Sequence, residues 1–398
     1  MANSLITSSL ITKEALATLH NQCQLIKACD TSYSSYYTSH GRVGKPGDTI
    51  NVRKPTRGNV RDVWTMNIGD ISEASVPVKI DQITGVDFSF SSAELSLTIE
   101  DFAKRYIKPN VELLAARIDS KIGTYMKNNI HHTVKVSSLG TAPDGLSYFL
   151  QARRKVLESL APPNSLRSVL SPRTEASLVD KMQSLYHSSS NSEAVKRGEM
   201  VRTAGLSWYP TANLPMHKHG TCTTAGNVTA YSATTLTITG VTSSGTLLAG
   251  DVITITNCFA VNPETKEAYG ESAQFVVTED AEATGTNIVV SVSPYVVLTG
   301  PEQNIASTPV GKAAVLMQTT ADQTVYNDLV VHPNAFALVF ADLDTPGGID
   351  MASKATMDGV TIRFLRDFNI ISSEYKCRLD VLFGIKALRP EHACKIIS

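Results

Sequence analysis

The composition of the chain changes sharply after Gly220, and this change constrains the fold more than any other feature. Residues 221–310 contain one basic residue, Lys266, against eight acidic residues. Short apolar stretches separated by Gly and Asp turns recur here, a pattern typical of β-strands. The four stretches are Thr234–Val241, Asp251–Cys258, Gln274–Thr278 and Ile288–Tyr295. We therefore expect an all-β domain inserted into a parent domain whose sequence resumes near Asn327.

The chain before this block carries helical periods. The strongest covers Pro109–Ile130, where apolar residues recur at steps of three and four and Pro109 suits the first turn. Such a helix would span about 33 Å at 1.5 Å per residue. Its predicted outer face includes Asp119, and the predicted cap of an N-terminal helix is Thr12. Three further segments carry helical patterns: residues 12–29, 145–160 and 172–186.

Alternation of apolar and polar residues predicts strands on both sides of the β-rich block. Residues 41–91 form a predicted long, half-buried β-hairpin with a loose middle near Asn67–Asp70. Val360–Phe364 and Tyr375–Ile385 alternate similarly and would pair as an antiparallel ribbon. Together with the helices, these strands predict an α+β fold with a discontinuous parent domain.

Bulk properties exclude several classes of protein. The formal net charge of −1 argues against a free nucleic-acid-binding protein, which usually carries a basic excess. The N-terminus lacks the pattern of a secretory signal, and the longest apolar run, Ala335–Ala341, is too short to cross a membrane. Six scattered cysteines favour free thiols over a disulfide framework.

The sequence offers few candidates for catalysis or metal binding. The stretch GRVGKPG at 41–47 lacks phosphate-loop spacing and is better explained as a turn at a hairpin base. His217, His219 and Cys222 could supply metal ligands, but no second cluster completes a site, so a polar domain junction is the alternative.

Two further groups of titratable residues have structural explanations. Asp342 and Asp344 could be paired carboxylates, although a capped loop before a turn explains them better. His131 and His132 fall where the long helix ends, and a histidine there meets favourable dipole charge without any catalytic role. We predict no catalytic residue, no cofactor and no metal site.

A basic run in the predicted hairpin is the informative charge feature. Within twenty residues that include one acid, Asp48, lie Arg42, Lys45, Arg53, Lys54, Arg57 and Arg61. Such a run is either a solvated face or a surface that docks against acidic groups on a neighbouring subunit. Outside residues 221–310 the chain has 35 basic and 29 acidic residues, a net charge of about +6. A basic body with an acidic appendage could face a polyanion on one side.

The order of these parts resembles a tailed-bacteriophage major capsid protein with the Johnson fold. It is similar in particular to the coat proteins of short-tailed temperate phages that carry a β-barrel insertion domain. The resemblance spans nearly the whole chain outside residues 221–325. It rests on these segments: MANSLITSSLITKEAL (1–16), GDTINVRKP (47–55), GVDFSFSSAELSLTIEDFAKRYIKP (85–109), AGLSWYPTANLPMHKHG (204–220) and LDVLFGIKALRPE (379–391).

This resemblance implies a non-enzymatic shell builder. Its subunits would form pentamers and hexamers around a separate scaffolding protein, with a portal at one vertex and double-stranded DNA held non-specifically inside. The expected location is the virion capsid, assembled in the bacterial cytoplasm, with no membrane partner and no proteolytic maturation. The six basic residues would contact the adjacent subunit.

The resemblance also implies domain boundaries along the chain. The expected parts are an N-terminal arm and helix (1–40), an extended hairpin loop (41–91), a peripheral domain with a spine helix (92–140), a first part of the axial domain (141–222), an inserted β-barrel domain (223–325), and a returning axial and peripheral part with the C-terminal ribbon (326–398). Two alternatives are an encapsulin-like compartment subunit, which would lack the insertion, and a β-rich binding or decoration protein.

Overall fold

The structure is a computed structural model. It describes residues 8–35, 47–55, 64, 75–91, 103–183, 202–224, 226–318, 320–371 and 373–398. The fold is α+β, as the sequence predicts. Four α-helices among these residues are α1 (Ser8–Gln22), α2 (Lys108–Asn129), α3 (Leu146–Glu158) and α4 (Pro172–Gln183).

The strands outnumber the helices. Up to the β-rich block they are β1 (Thr49–Arg53), β2 (Ser75–Lys79), β3 (Gln82–Ser91), β4 (His132–Lys135), β5 (Arg167–Leu170), β6 (Ser207–Pro210) and β7 (His217–Lys218). Within it they are β8 (Asn227–Tyr231), β9 (Thr235–Thr239), β10 (Thr246–Leu247), β11 (Val252–Val261), β12 (Ala268–Val277), β13 (Ala281–Glu282), β14 (Asn287–Ser293), β15 (Ala314–Leu316) and β16 (Thr324–Val325). After it come β17 (Asn327–Val331), β18 (Phe336–Ala341), β19 (Met351–Met357), β20 (Val360–Asn369), β21 (Glu374–Ala387) and β22 (Ala393–Ile397).

The described residues divide into two compact units. The first takes residues from 1–52, 75–122 and 336–386, and the second from 53–74, 123–335 and 387–398. Within the described part of the chain, no helix is both long and apolar enough to span a membrane.

The first unit is built on an antiparallel sheet in the order β18–β21–β20–β19, with β3 also paired to β21. The predicted C-terminal ribbon is confirmed, because β20 and β21 pair antiparallel from Arg363 opposite Asp380 to Asn369 opposite Glu374. Helix α1 packs against β19 and β20. Val111, Leu114 and Ile118 of α2 are buried at helical spacing, as the sequence predicts.

Two details of these helices differ from the sequence prediction. Helix α1 already includes Ser8, so Thr12 is an interior residue, and its buried hydroxyl contacts Ser353 instead of capping the helix. Asp119, predicted on the outer face of α2, is fully buried. Its carboxylate accepts the backbone N–H groups of Gln24 and Leu25, at 3.2 and 3.3 Å, which a periodicity argument cannot foresee.

The second unit contains a five-stranded mixed sheet in the order β4–β22–β17–β5–β6. Strands β17 and β22 are buried at every position, as expected for strands covered on both faces. Phe149, Ala152 and Val156 of α3 are buried in the same apolar cluster as Val330 and Ile396 of the sheet. Ser171 and Pro172 begin α4 as the sequence predicts, with the Ser171 Oγ accepting the Thr174 N–H at 3.3 Å.

The β-rich block forms a six-stranded sheet in the order β15–β11–β12–β14–β9–β8. Backbone hydrogen bonds also join its two edges: Val228 N to Lys312 O at 2.9 Å, Gly311 N to Val228 O at 2.8 Å, and Ala314 N to Gly226 O at 2.9 Å. The sheet therefore closes on itself around an apolar core that includes Phe275, Ile253 and Val290. Strands β7 and β16 pair antiparallel where the chain enters and leaves this block.

Candidate assembly surfaces and buried polar sites

Part of the basic segment lies within the described residues. Arg53 ends β1 with an exposed side chain, and Lys54 follows it, half-buried. Arg42, Lys45, Arg57 and Arg61 lie outside the described residues, as does the predicted loose middle at Asn67–Asp70. The grouping of the six basic residues therefore stays a prediction.

The base of this hairpin is held by backbone hydrogen bonds. Gly47, the last residue of GRVGKPG, has φ +97° and donates its N–H to the Ile80 carbonyl at 2.6 Å. Ile80 in turn donates to the Asp48 carbonyl at 2.9 Å. A glycine suits this position because L side chains rarely adopt a positive φ. The geometry is that of a turn at a hairpin base, and the Gly47 N–H is already used within it.

The turn between β20 and β21 presents two isoleucines to solvent. Ile370 is 86% exposed and Ile371 is 98% exposed. The turn is ordered by local hydrogen bonds, because the Asn369 Oδ1 accepts the Ile371 N–H at 3.0 Å. At its base, the rings of Phe368 and Tyr375 lie 4.8 Å apart. Two adjacent large apolar side chains held in this way form an apolar tip, which we define as Ile370 and Ile371.

The candidate metal residues His217 and His219 instead meet a single buried carboxylate. The Asp251 Oδ1 lies 2.7 Å from the His217 Nε2 and 2.7 Å from the His219 Nδ1. The other oxygen, Oδ2, accepts the N–H groups of Leu248 at 2.8 Å and Gly220 at 3.3 Å. Burial alone would raise the pKa of Asp251, but the hydrogen bonds from both histidines hold it well below its usual range.

Cys222 does not join the histidines as a third ligand. Its thiol donates to the Thr224 carbonyl at 3.4 Å, and its own carbonyl accepts from the His219 Nε2 at 3.0 Å. Among the residues that the structure describes, no group of three His, Cys, Asp or Glu side chains is placed to hold a metal ion. The arrangement is a polar junction at the entrance to the β-rich block, which the sequence offered as the alternative.

A lysine of the final strand contributes to the same junction. The Lys395 Nζ donates to the carbonyls of Gly250 at 2.6 Å and Lys127 at 3.1 Å. Burial lowers the pKa of Lys395 to about 7. Periodicity gave no reason to single out this residue, although a lysine inside the apolar string ACKII (393–397) is itself an unusual signal.

The other titratable candidates have structural roles. His131 is buried and His132 is half-buried. Burial lowers the pKa of His131 to about 3, with the nearby Lys155 and Lys395 adding to the effect. Burial therefore outweighs the favourable charge of the helix dipole at this position. Asp342 forms an ion pair with Lys354 at 3.1 Å, and the Asp344 backbone carbonyl accepts a hydrogen bond from Arg363.

The thiols agree with the sequence prediction. All six cysteines are free and buried. Burial raises the pKa of both Cys377 and Cys394 to about 12, so neither is a thiolate at neutral pH.

Comparison with known proteins identifies a protein family and several solved structures that the chain resembles. The family described as P22 coat protein, gene protein 5, matches residues 190–396, just over half of the chain. No curated protein matches. Similar solved structures include a Mycobacterium phage Che8 chain, with 11% identity over 95% of this chain and 90% of that chain and a TM-score of 0.46.

Two other similar structures are more distant. The capsid of Ralstonia phage GP4 is 8% identical over 89% of this chain and 84% of that chain, with a TM-score of 0.46. A virus-like particle from Pyrococcus furiosus is 10% identical over 98% of both chains, with a TM-score of 0.40. The family match assigns a structural and not an enzymatic role, that of a tailed-phage major capsid protein that associates with itself to form a shell. The chain belongs to the P22 coat protein family.

Proposed function

We propose that this coat subunit assembles as pentamers and hexamers around a scaffolding protein in the host cytoplasm. A portal would occupy one vertex, and double-stranded DNA would be held non-specifically inside. The domain boundaries inferred from the resemblance, from the arm at 1–40 to the return at 326–398, belong to this proposal. The six basic residues of the hairpin loop are its proposed contacts with an adjacent subunit.

The observation that carries the proposal is the apolar tip. Two isoleucines at 86% and 98% exposure supply a patch of at most a few hundred Å². A stable pairwise complex usually buries at least about 1,000 Å². The tip alone is therefore too small to hold two free subunits together. It suits a shell, in which each copy makes several weak contacts at once.

The basic residues support the same picture. Exposed ion pairs are each worth roughly 0–1 kcal/mol, so one substitution should be tolerated. A shell repeats each contact at every subunit, so small changes per contact add up. We expect the triple substitution Arg53→Ala, Arg57→Ala and Arg61→Ala to leave the subunit folded and to raise the concentration needed for assembly.

High salt should reproduce the defect of the triple variant, because exposed charges are screened beyond about 10 Å at 0.1 M. Light scattering of assembly with the scaffold measures both effects. Assembly at the wild-type concentration with unchanged salt dependence would assign the charges to a solvated face.

The apolar tip has its own test. Ile370→Ser with Ile371→Ser should raise the assembly concentration without changing the circular dichroism of the free subunit, because both side chains are already in water there. Leu113→Ser is a matched control, since Leu113 is a 63%-exposed apolar side chain on a different element, α2. If the tip variant and wild type assembled at the same concentration, the apolar tip would not be part of a contact between subunits.

Electron microscopy of the chain expressed with its scaffold tests the proposed function as a whole. We expect closed icosahedral shells with the scaffold, and aberrant shells, aggregates or free subunits without it. Regular closed shells formed without any scaffold, and packed with host protein, would favour the encapsulin-like alternative. Isolated monomers bound to the outside of another shell would favour a decoration protein.

A further inference from the structure

The entrance to the β-rich block is fastened by one carboxylate. Asp251 immediately precedes β11, and its two oxygens together accept from His217, His219, Gly220 and Leu248. His217 lies in β7, which pairs with β16 at the point where the chain enters and leaves the block. These contacts tie the loop at 248–251 to the entering strand.

The hydrogen-bond partners of His219 fix its protonation state. Its Nε2 lies 3.0 Å from the Cys222 carbonyl, and its Nδ1 lies 2.7 Å from the Asp251 carboxylate. The Cys222 carbonyl oxygen can accept a hydrogen bond but cannot donate one, and the same holds for the Asp251 carboxylate when it is ionised. Both ring nitrogens must then carry hydrogen, so His219 is a buried imidazolium.

The neighbouring His217 has the opposite assignment. Its Nδ1 lies 3.4 Å from the Lys127 Nζ, which can only donate, so Nδ1 carries no hydrogen. Its Nε2 donates to Asp251 at 2.7 Å. His217 is therefore the neutral imidazole with hydrogen on Nε2, and two histidines two residues apart hold different charges.

We propose that His219 is a proton-operated latch: its imidazolium holds Asp251, and with it the 248–251 loop, against β7, and loss of the proton opens this contact. Without the second N–H, one ring nitrogen would point its lone pair at an oxygen lone pair. The latch does not depend on how copies of the subunit assemble.

The charged groups around the latch set its pH range. Asp251 faces His219 directly, while His217, Lys127 and Lys395 face Asp251 from β7, α2 and β22. Burial alone would lower the pKa of His219, but the bond to Asp251 and its charge produce a net increase. Burial lowers the pKa of His217, in agreement with its assignment as the neutral imidazole.

The direction of the pH effect follows from these assignments. A histidine whose pKa is raised in the closed state stabilises that state below about 6.5 and loses this contribution as pH rises through the raised pKa. The opening equilibrium constant should rise up to tenfold per pH unit within that interval. Lys395, whose pKa is about 7 because of burial, keeps N–H groups for both carbonyls after it loses its charge.

Nuclear magnetic resonance of the unassembled full chain, with ¹⁵N-labelled histidine, tests the protonation states. We expect both nitrogens of His219 to be protonated at pH 6.5, and His217 to carry hydrogen on Nε2 only. A neutral His219 at that pH would overturn the proposal. So would stoichiometric zinc in the purified protein, because the ring nitrogens would then be ligands.

Hydrogen exchange of the amides at 217–224 and 248–251, corrected for the intrinsic pH dependence, tests the opening. Wild type should open more as pH rises, whereas His219→Gln, which cannot titrate, should be open and insensitive to pH. His20→Gln is a control, since His20 pairs with Asp358 in the other unit. Wild-type pH dependence in His219→Gln would overturn the latch. If that variant does not fold, the magnetic resonance of wild type decides.

Discussion

The antiparallel sheet of the first unit and the mixed sheet of the second both bury charged residue types, but they do so differently. In the first, the Asp380 carboxylate accepts from the Arg363 Nη2 at 2.5 Å and the Arg378 Nε at 2.7 Å. In the second, His131 is buried and His132 is half-buried, both near Lys155, and burial lowers the pKa of each. A pair retains its charges, whereas an unpaired buried base becomes neutral.

This difference predicts that the stability of the mixed sheet, which adjoins the buried histidine, responds more strongly to acid than that of the antiparallel sheet. A histidine that is kept neutral by burial binds a proton more readily in the unfolded chain than in the folded chain. Acidification therefore favours unfolding of the elements that bury such histidines. We therefore expect mild acid to loosen the mixed sheet before the antiparallel one.

Breaking the pair in the antiparallel sheet should have the largest effect. Asp380→Asn removes the negative charge that pairs with the 14%-exposed Arg363 side chain, and removing one member of a buried pair costs about 3–5 kcal/mol. The loss should appear in urea unfolding and in hydrogen exchange of β20 and β21. Asp342→Asn is the matched control, because its partner Lys354 is exposed, and it should cost at most about 1 kcal/mol. If Asp380→Asn and Asp342→Asn reduced the free energy of unfolding equally, the buried ion pair would contribute no more to this sheet than an exposed one.

Acidification should have the next largest effect, and it should fall on the mixed sheet. The pKa of His131 is about 3 in the folded chain and about 6.5 when unfolded, so the unfolded state binds more protons between these values. Stability should fall by up to about 1.4 kcal/mol per pH unit for each such histidine below pH 6.5. Amides of β4 and β22 should lose protection first, and His131→Gln should reduce the slope. If the amides of β20 and β21 lost protection at the same pH as those of β4 and β22, the proposed difference between the two sheets would be contradicted.

The smallest effect should come from Asp328, which acts in the opposite direction. Burial raises its pKa to about 6, although hydrogen bonds from Ser171 and Thr174 oppose the increase. The folded state therefore binds more protons between pH 3.8 and 6, and Asp328 offsets part of the histidine effect there. Asp328→Asn should remove this offset and steepen the acid loss between pH 6 and 4. An unchanged slope between pH 6 and 4 would contradict this assignment.

Local sequence patterns predicted what depends on neighbours along the chain. The period of Val111, Leu114 and Ile118 placed α2, and the alternation after Val360 placed the β20–β21 ribbon. The buried role of Asp119 depends on Gln24 and Leu25, more than ninety residues away, so no local pattern contains it.

The polar junction shows the same limit. His217 and His219 were visible as a pair, but Asp251 and Lys395 reach them only after the chain has folded. The two exposed isoleucines did leave a local signal, since Ile370 and Ile371 stand between Asn369 and a pair of serines, where a turn favours polar residues.

The hydrogen bonds that close the six-stranded sheet have a consequence for solubility at high local concentration. An open sheet presents unpaired N–H and C=O groups that can template pairing with another chain. Here the backbone of 226–228 is bonded to that of 311–314, so this edge is already occupied. A protein that gathers many copies of itself in one particle repeatedly brings identical sheets close together. Because this edge is paired within the subunit, neighbouring copies contact each other through side chains and do not form intermolecular strand pairs or fibrous aggregates there.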